Sequence, residues 1–200
     1  MRFVRSIEQT LRQGGLVRAG VHSRRQTAPE SRFRRILLAA TISRPGDRLA
    51  HVSSVTQLIV SALVRRDGQI LLVEEMEPGD PSSTWMLPGG RVEPSETLIE
   101  ALRRELAEET GMALGGSPVI AFAIDITAPE GQYSAITFDC EADGSLVPAD
   151  PDGLVLSAAW LSTDEALARL ACVTWYDCVP LERFLSGEAP AGATYVADRT

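Results

Sequence analysis

The sequence predicts a layered domain of the α/β or α+β class, and three observations lead there. Apolar runs of strand length, bounded by turn residues, recur between residues 56 and 161. A helix-period apolar stripe interrupts them at Leu98, Leu102 and Leu106. A second, shorter helical pattern follows the last run, at 163–170.

Residues 56–64, Thr-Gln-Leu-Ile-Val-Ser-Ala-Leu-Val, read as a buried strand. Asp67-Gly68 reads as a hairpin turn, and Ile-Leu-Leu-Val at 70–73 as the returning strand. A loop with Pro78, Gly79, Asp80 and Pro81 follows, and residues 85–90 lead out of it. A helix is expected over 95–110. Pro94 and Ser95 suit its start and Gly111 its stop. Further strands are expected at 118–125, 133–140 and 154–161. Ser162 or Thr163 caps a helix running to Leu170, and a last short helix spans 180–185.

The chain has 200 residues and is 44% hydrophobic, enough for one domain with a real core. The apolar runs at 36–42 and 58–64 are far too short to cross a membrane. Charge is unevenly spread. Residues 1–50 carry eleven Arg against Glu8, Glu30 and Asp47, a net of +8. Residues 51–200 carry eight Arg against twenty-four acids, a net of −16. The expected organisation is an Arg-rich extension at 1–50, poorly ordered, a domain at 51–190 and a C-terminal tail at 191–200. An acidic body argues against binding a nucleic acid polymer and suits recruitment of a divalent metal. Cys140, Cys172 and Cys178 are an odd set without a CxxC pair, which predicts reduced thiols and a cytoplasmic location. His22 and His51 are too few for a zinc cluster.

The chemistry is carried by residues 90–112. Gly90 is followed by Glu96, then Arg104, Glu105 and Leu106, then Glu108 and Glu109, then Gly111 and Met112. Glu105, Glu108 and Glu109 fall at i, i+3 and i+4 and so share a helix face. Like charges so placed repel, and a divalent cation with its preference for hard oxygen ligands reverses the sign. The acidic face is expected opposite the leucine stripe. A bare Glu-x-x-Glu-Glu is common on solvated helices. Here Gly90, Glu96, Arg104 and Gly111 stand in register with it.

This segment resembles the Nudix box of the Nudix hydrolase family, matching it at each fixed position. Leu87, Pro88 and Gly89 before it and the flanking strand order are also similar to the family, and residues 1–50 lie outside the resemblance. The resemblance implies an α/β/α sandwich with a mixed central β-sheet. It implies Mg²⁺, or Mn²⁺, held by Glu105, Glu108, Glu109 and the Gly90 carbonyl, with Arg104 and Glu96 orienting the carboxylates. It implies hydrolysis of a diphosphate link in a nucleoside diphosphate derivative such as ADP-ribose, a nucleotide sugar or a nucleoside triphosphate. In that chemistry the metal neutralises charge on the phosphates and acidifies the attacking water. A carboxylate takes the proton, from the set Glu105, Glu108, Glu130, Asp150 and Asp152. Arg104 is expected beside the reacting carboxylates. Trp85 is the candidate for stacking on a base, with Phe122, Tyr133 and Trp175 behind it. A homodimer is compatible with the pattern. The alternative is a Nudix-fold module that senses a nucleotide without cleaving it. Retention of every box carboxylate favours the enzyme.

Overall fold

The computed structural model describes residues 56–76, 82–129, 131–173 and 176–199. The expected N-terminal extension, the 78–81 loop residues, Glu130 and Trp175 lie outside the described residues.

β1 (Gln57–Arg66) and β2 (Gln69–Met76) run antiparallel. Asp67 and Gly68 join them with φ of 51° and 75°. Positive φ at both central residues matches the right-handed twist of the strands, as the hairpin reading required. β3 (Ser83–Met86) adds to β2, and β4 (Gly89–Arg91) adds to β1. β5 (Ala113–Ala128) and β6 (Gly131–Asp143) form a long antiparallel pair, longer at both ends than the sequence indicates. β7 (Val155–Ser162) lies antiparallel on β2. The path through the sheet is β3-β2-β1-β6-β5-β8, with β8 (Ala193–Asp198) at its edge. The β1–β6 and β5–β8 pairs are parallel and the rest antiparallel, so the sheet is mixed as expected.

Alternation along the strands sends side chains to two layers. Val60, Ala62, Val64 and Leu71 pack with Leu102 and Leu106 of α1 (Leu98–Thr110). Leu63, Ile70 and Leu72 pack on the other side with Ala166 and Leu170 of α2 (Thr163–Leu170) and Leu181 of α3 (Val179–Leu185). Helices thus cover both faces, which is the expected α/β/α sandwich. Among the described residues no helix is long and apolar enough to cross a membrane. None of the three cysteines is in a disulfide.

Two local readings are corrected. Residues 193–198, placed by sequence in a tail, pair with β5 and extend the sheet. Alternating polar residues and a preceding Pro-Ala-Gly hid a strand whose partner is some seventy residues away in sequence. The α1 helix also begins later than expected. The Glu93 carbonyl accepts from the Glu96 N–H at 3.0 Å, and Ser95 sits at φ 75°. Pro94 followed by a left-handed residue is the pattern of a type II turn. The helix cap is Thr97, whose hydroxyl accepts from the Glu100 N–H while the Glu100 carboxylate accepts from the Thr97 N–H. Turn and cap together fix where the Glu96 side chain stands before the helix begins.

Ser95 holds a backbone conformation that disfavours a Cβ, at roughly 1–2 kcal/mol. Ser95→Gly should therefore raise stability by about 0.5–1 kcal/mol, after the added unfolded-state entropy of glycine is subtracted. Urea denaturation measures it; a loss of stability shows that the turn is unstrained.

Candidate active site

A helix turns about 100° per residue, so Glu105 and Glu109 fall about 60° and 20° from Leu102. They are on the leucine side of α1, which corrects the expectation of an acidic face opposite the stripe. Glu109 is 0% exposed and Glu105 3%. Buried carboxylates need compensating donors. Glu109 Oε2 accepts from the Gly89 N–H at 2.8 Å. Glu105 Oε1 accepts from Arg104 Nη1 at 2.8 Å. Glu108 lies about 120° round from Leu102 and stays half-exposed.

The helix can bury acids there because β4 meets it with glycines. Gly89 and Gly90 form a short strand opposite Ser61 and Val60 of β1. A Cβ on Gly90 would lie 2.3 Å from Glu105 Oε1, and one on Gly89 would lie 2.2 Å from the Val60 carbonyl. At the other end of α1, Gly111 caps the helix at φ 75°.

Arg104 ties the acids together. Its Nε and Nη2 grip Glu96 Oε1 and Oε2 at 2.7 and 2.9 Å. Nη2 also donates to the Arg91 carbonyl at 3.0 Å. Nη1 reaches Glu108 Oε2 at 3.4 Å as well as Glu105. A two-toothed Arg–carboxylate pair is strong and directional. The Arg104 bond, helped by the Glu93 N–H, holds the Glu96 carboxyl down to about 2. Glu96 and Glu105 in turn raise Arg104 above its ordinary value.

Beside this cluster lies a cleft of about 460 Å³. Gly90, Arg91, Glu93, Arg104, Glu105 and Glu108 line it from β4, α1 and the turn between them, and Asp150, Pro151, Asp152 and Leu154 line it from the loop before β7. Its size suits a small-molecule ligand. The sequence-predicted residues Gly90, Arg104, Glu105, Glu108, Asp150 and Asp152 are therefore brought together. Glu96 stands behind Arg104, and Glu109 is buried beneath Gly89, outside the lining. Among the described residues, no three His, Cys, Asp or Glu side chains converge as a ready-made metal group. Trp85 is not in the cleft. It packs in the α2 layer with the Arg169 guanidinium 4.6 Å from its ring centre. Phe122 and Tyr133, each 1% exposed, are core. Sequence reasoning missed Arg91, Glu93, Pro151 and Leu154 in the lining; adjacency to Gly90 was the available signal for Arg91.

Two outcomes follow from this geometry. The lowered Glu96 value stabilises the fold above pH 4.5, and that contribution drains away as pH falls toward about 2. Glu96→Gln should lower the melting temperature at neutral pH and flatten its decline across that acid window; an unchanged acid profile contradicts the clamp. Gly90→Ala should push Glu105 aside and destabilise the chain by about 1–3 kcal/mol, read by chemical denaturation, and a neutral result contradicts the close approach.

Comparison with known proteins bears on this arrangement. A family model described as NUDIX domain matches residues 55–177. The CTP pyrophosphohydrolase of Escherichia coli K12 is 44% identical over 54 residues, 27% of this chain and 40% of that protein. Phosphatase NudJ of the same strain is 32% identical over 109 residues, 54% of this chain and 69% of that protein. The human 8-oxo-dGDP phosphatase NUDT18 is 28% identical over 109 residues, and the match spans 32% of it. The chain thus spans well under half the length of the first and third of these relatives. A NUDIX hydrolase from Nitrosomonas europaea superposes with a TM-score of 0.58 at 27% identity, covering 68% of this chain and 93% of that one. The E. coli ORF135 protein superposes at 0.55 with 27% identity, covering 67% and 91%. With a family match over most of its length and the matching fold around it, the chain belongs to the NUDIX domain family.

Proposed function

We propose that this chain is a divalent-metal-dependent hydrolase that cleaves the diphosphate link of a small nucleoside diphosphate derivative. The observation that carries the proposal is the convergence of Glu105 and Glu108 on one cationic point, Arg104 Nη1, at the wall of an acidic cleft. The donor set fits a hard cation: carboxylates and a backbone carbonyl, with no thiol or imidazole among them. Glu105, Glu108, Glu109 and the Gly90 carbonyl are the proposed ligands, and Mg²⁺ or Mn²⁺ the proposed ion. When bound, the ion supplies charge neutralisation at the phosphates and acidifies an attacking water.

The chain's own residues do the rest. Arg104 neutralises part of the carboxylate charge and fixes the Glu105 rotamer, while Glu96 fixes Arg104. Glu109 pins β4 to the helix through Gly89. Arg91 offers a guanidinium fork on the cleft wall, a shape suited to phosphate oxygens. The proton acceptor is a cleft carboxylate, Glu105, Glu108 or Asp152. Asp150 is committed to its own loop through three backbone N–H bonds. The relatives' printed names concern CTP and 8-oxo-dGDP, which supports nucleoside di- and triphosphates as leading substrates, beside ADP-ribose and nucleotide sugars. The proposed setting is cytoplasmic, and the chain acts alone or as a homodimer.

A phosphate-release screen over these compounds with Mg²⁺ and with Mn²⁺ tests the proposal. Turnover of one compound is expected. Glu105→Gln and Glu109→Gln should each cut it by at least about a hundredfold, the scale of lost electrostatic stabilisation, with melting curves still cooperative. Nucleotide binding without products, or turnover that survives both changes, overturns it; the first outcome is that of a sensing module.

A further inference from the structure

The far wall of the cleft is built by a loop whose geometry is over-determined. Asp150 Oδ2 accepts from the Leu154 N–H at 2.7 Å and the Val155 N–H at 3.1 Å. Its Oδ1 accepts from the Asp152 N–H at 3.3 Å, and its carbonyl accepts from the Gly153 N–H at 3.1 Å. One side chain thus closes the whole 150–155 turn. Ionised acceptors bind backbone N–H groups more strongly than neutral ones do.

The same loop is registered against α1. The Val147 N–H donates to the Thr110 carbonyl at 2.9 Å, and the Ala149 N–H to the Glu108 carbonyl at 2.8 Å. These are carbonyls that a helix C-terminus leaves without an intrahelical partner. Gly111 makes room, since a Cβ there would lie 2.3 Å from the Val147 carbonyl. On its other flank, the Leu154 carbonyl accepts from the Met76 N–H of β2 at 2.8 Å. The turn of helix that carries the Glu108 side chain to one wall therefore carries, through its backbone, the loop that forms the other.

From this we infer that Asp150 is a positioning residue: it shapes the 150–155 turn, clipped to the end of α1, so that Asp152 and Leu154 hold a fixed distance across the cleft from Glu105 and Glu108. The inference rests on the hydrolase reading for its catalytic consequence, while the anchoring itself does not. Asp150 acts through the loop, because both of its carboxylate oxygens are taken up by backbone N–H groups.

The test uses the full chain and two variants, Asp150→Ala and Asp150→Asn, since the Asn carbonyl still accepts from backbone N–H groups. Amide hydrogen exchange reads the anchor, Mn²⁺ binding followed by electron paramagnetic resonance reads the ion site, and CTP turnover with Mg²⁺ reads the cleft. For Asp150→Ala the Leu154 and Val155 amides should lose protection by about tenfold or more, while those in the middle of α1 keep it. The Mn²⁺ dissociation constant should stay within about twofold, and kcat should drop by about tenfold or more with little change in KM, as expected of misplacement. Asp150→Asn should restore part of both the protection and kcat, since its one carbonyl can still accept from the Leu154 and Val155 N–H groups while its NH2 cannot accept from that of Asp152. Unaltered exchange in Asp150→Ala overturns the anchor. Weakened Mn²⁺ binding in both variants makes Asp150 a ligand instead. An Asn variant with restored protection and no restored turnover makes the Asp150 charge itself part of the chemistry. If the unsubstituted chain leaves CTP intact, the hydrolase reading is decided by the other compounds of the screen, and exchange with Mn²⁺ binding decides the anchor.

Discussion

One guanidinium organises the region on which everything else depends. Arg104 sits among Glu96, Glu105 and Glu108, and reaches the Arg91 backbone across the gap between helix and sheet. Without it, a helix with three acids in its last two turns would lay two of them against an apolar core with too few positive partners. Burying charges is costly unless they are paired and hydrogen-bonded. Here the pairing also sets direction. Glu96 holds Arg104 by two teeth, and Arg104 then holds Glu105 over Gly90. The clamp ties the type II turn, β4 and α1 together through direct hydrogen bonds.

Glycine is the other half of that arrangement. The buried acids fit only because β4 presents Gly89 and Gly90 where another strand would present side chains. Gly111 plays the matching part at the helix C-terminus, ending α1 in the left-handed region and admitting the loop that becomes the far wall. The spacing of glycines and glutamates along this segment is thus a packing requirement as much as a chemical one. Each glycine marks a place where backbone or carboxylate comes closer than a Cβ permits.

Much of this was legible in the chain alone. Alternation and turn residues located β1, β2 and β7, and the Asp67-Gly68 hairpin fell where its dihedral preference put it. The run from Gly90 to Gly111 announced both the helix and the acids. What local pattern did not reveal was direction. Spacing placed Glu105, Glu108 and Glu109 on one face; only the tertiary neighbours Gly89, Gly90 and Arg104 make the buried side tolerable for two of them. The helix starts later than the sequence pattern suggests because Pro94 and Ser95 suit a type II turn as well as a first helical turn. The strand β8 depends on β5, distant in sequence, and its own residues do not declare it. Asp150 and Asp152 were visible only as loop acids. The hydrogen bonds that set their loop run to the ends of α1, β2 and β7, and spacing along the chain does not show them.

The excess negative charge on this wall is the proposed receptor for a divalent ion. Crystals of the full chain soaked in Mn²⁺ and measured at an anomalous wavelength address it directly. A peak is expected in the cleft with carboxylate oxygens of Glu105 and Glu108 at roughly 2.1 Å, the distance set by small hard divalent cations. A Mn²⁺ peak bound only elsewhere on the acidic surface, with Glu105 and Glu108 still turned to Arg104, contradicts it.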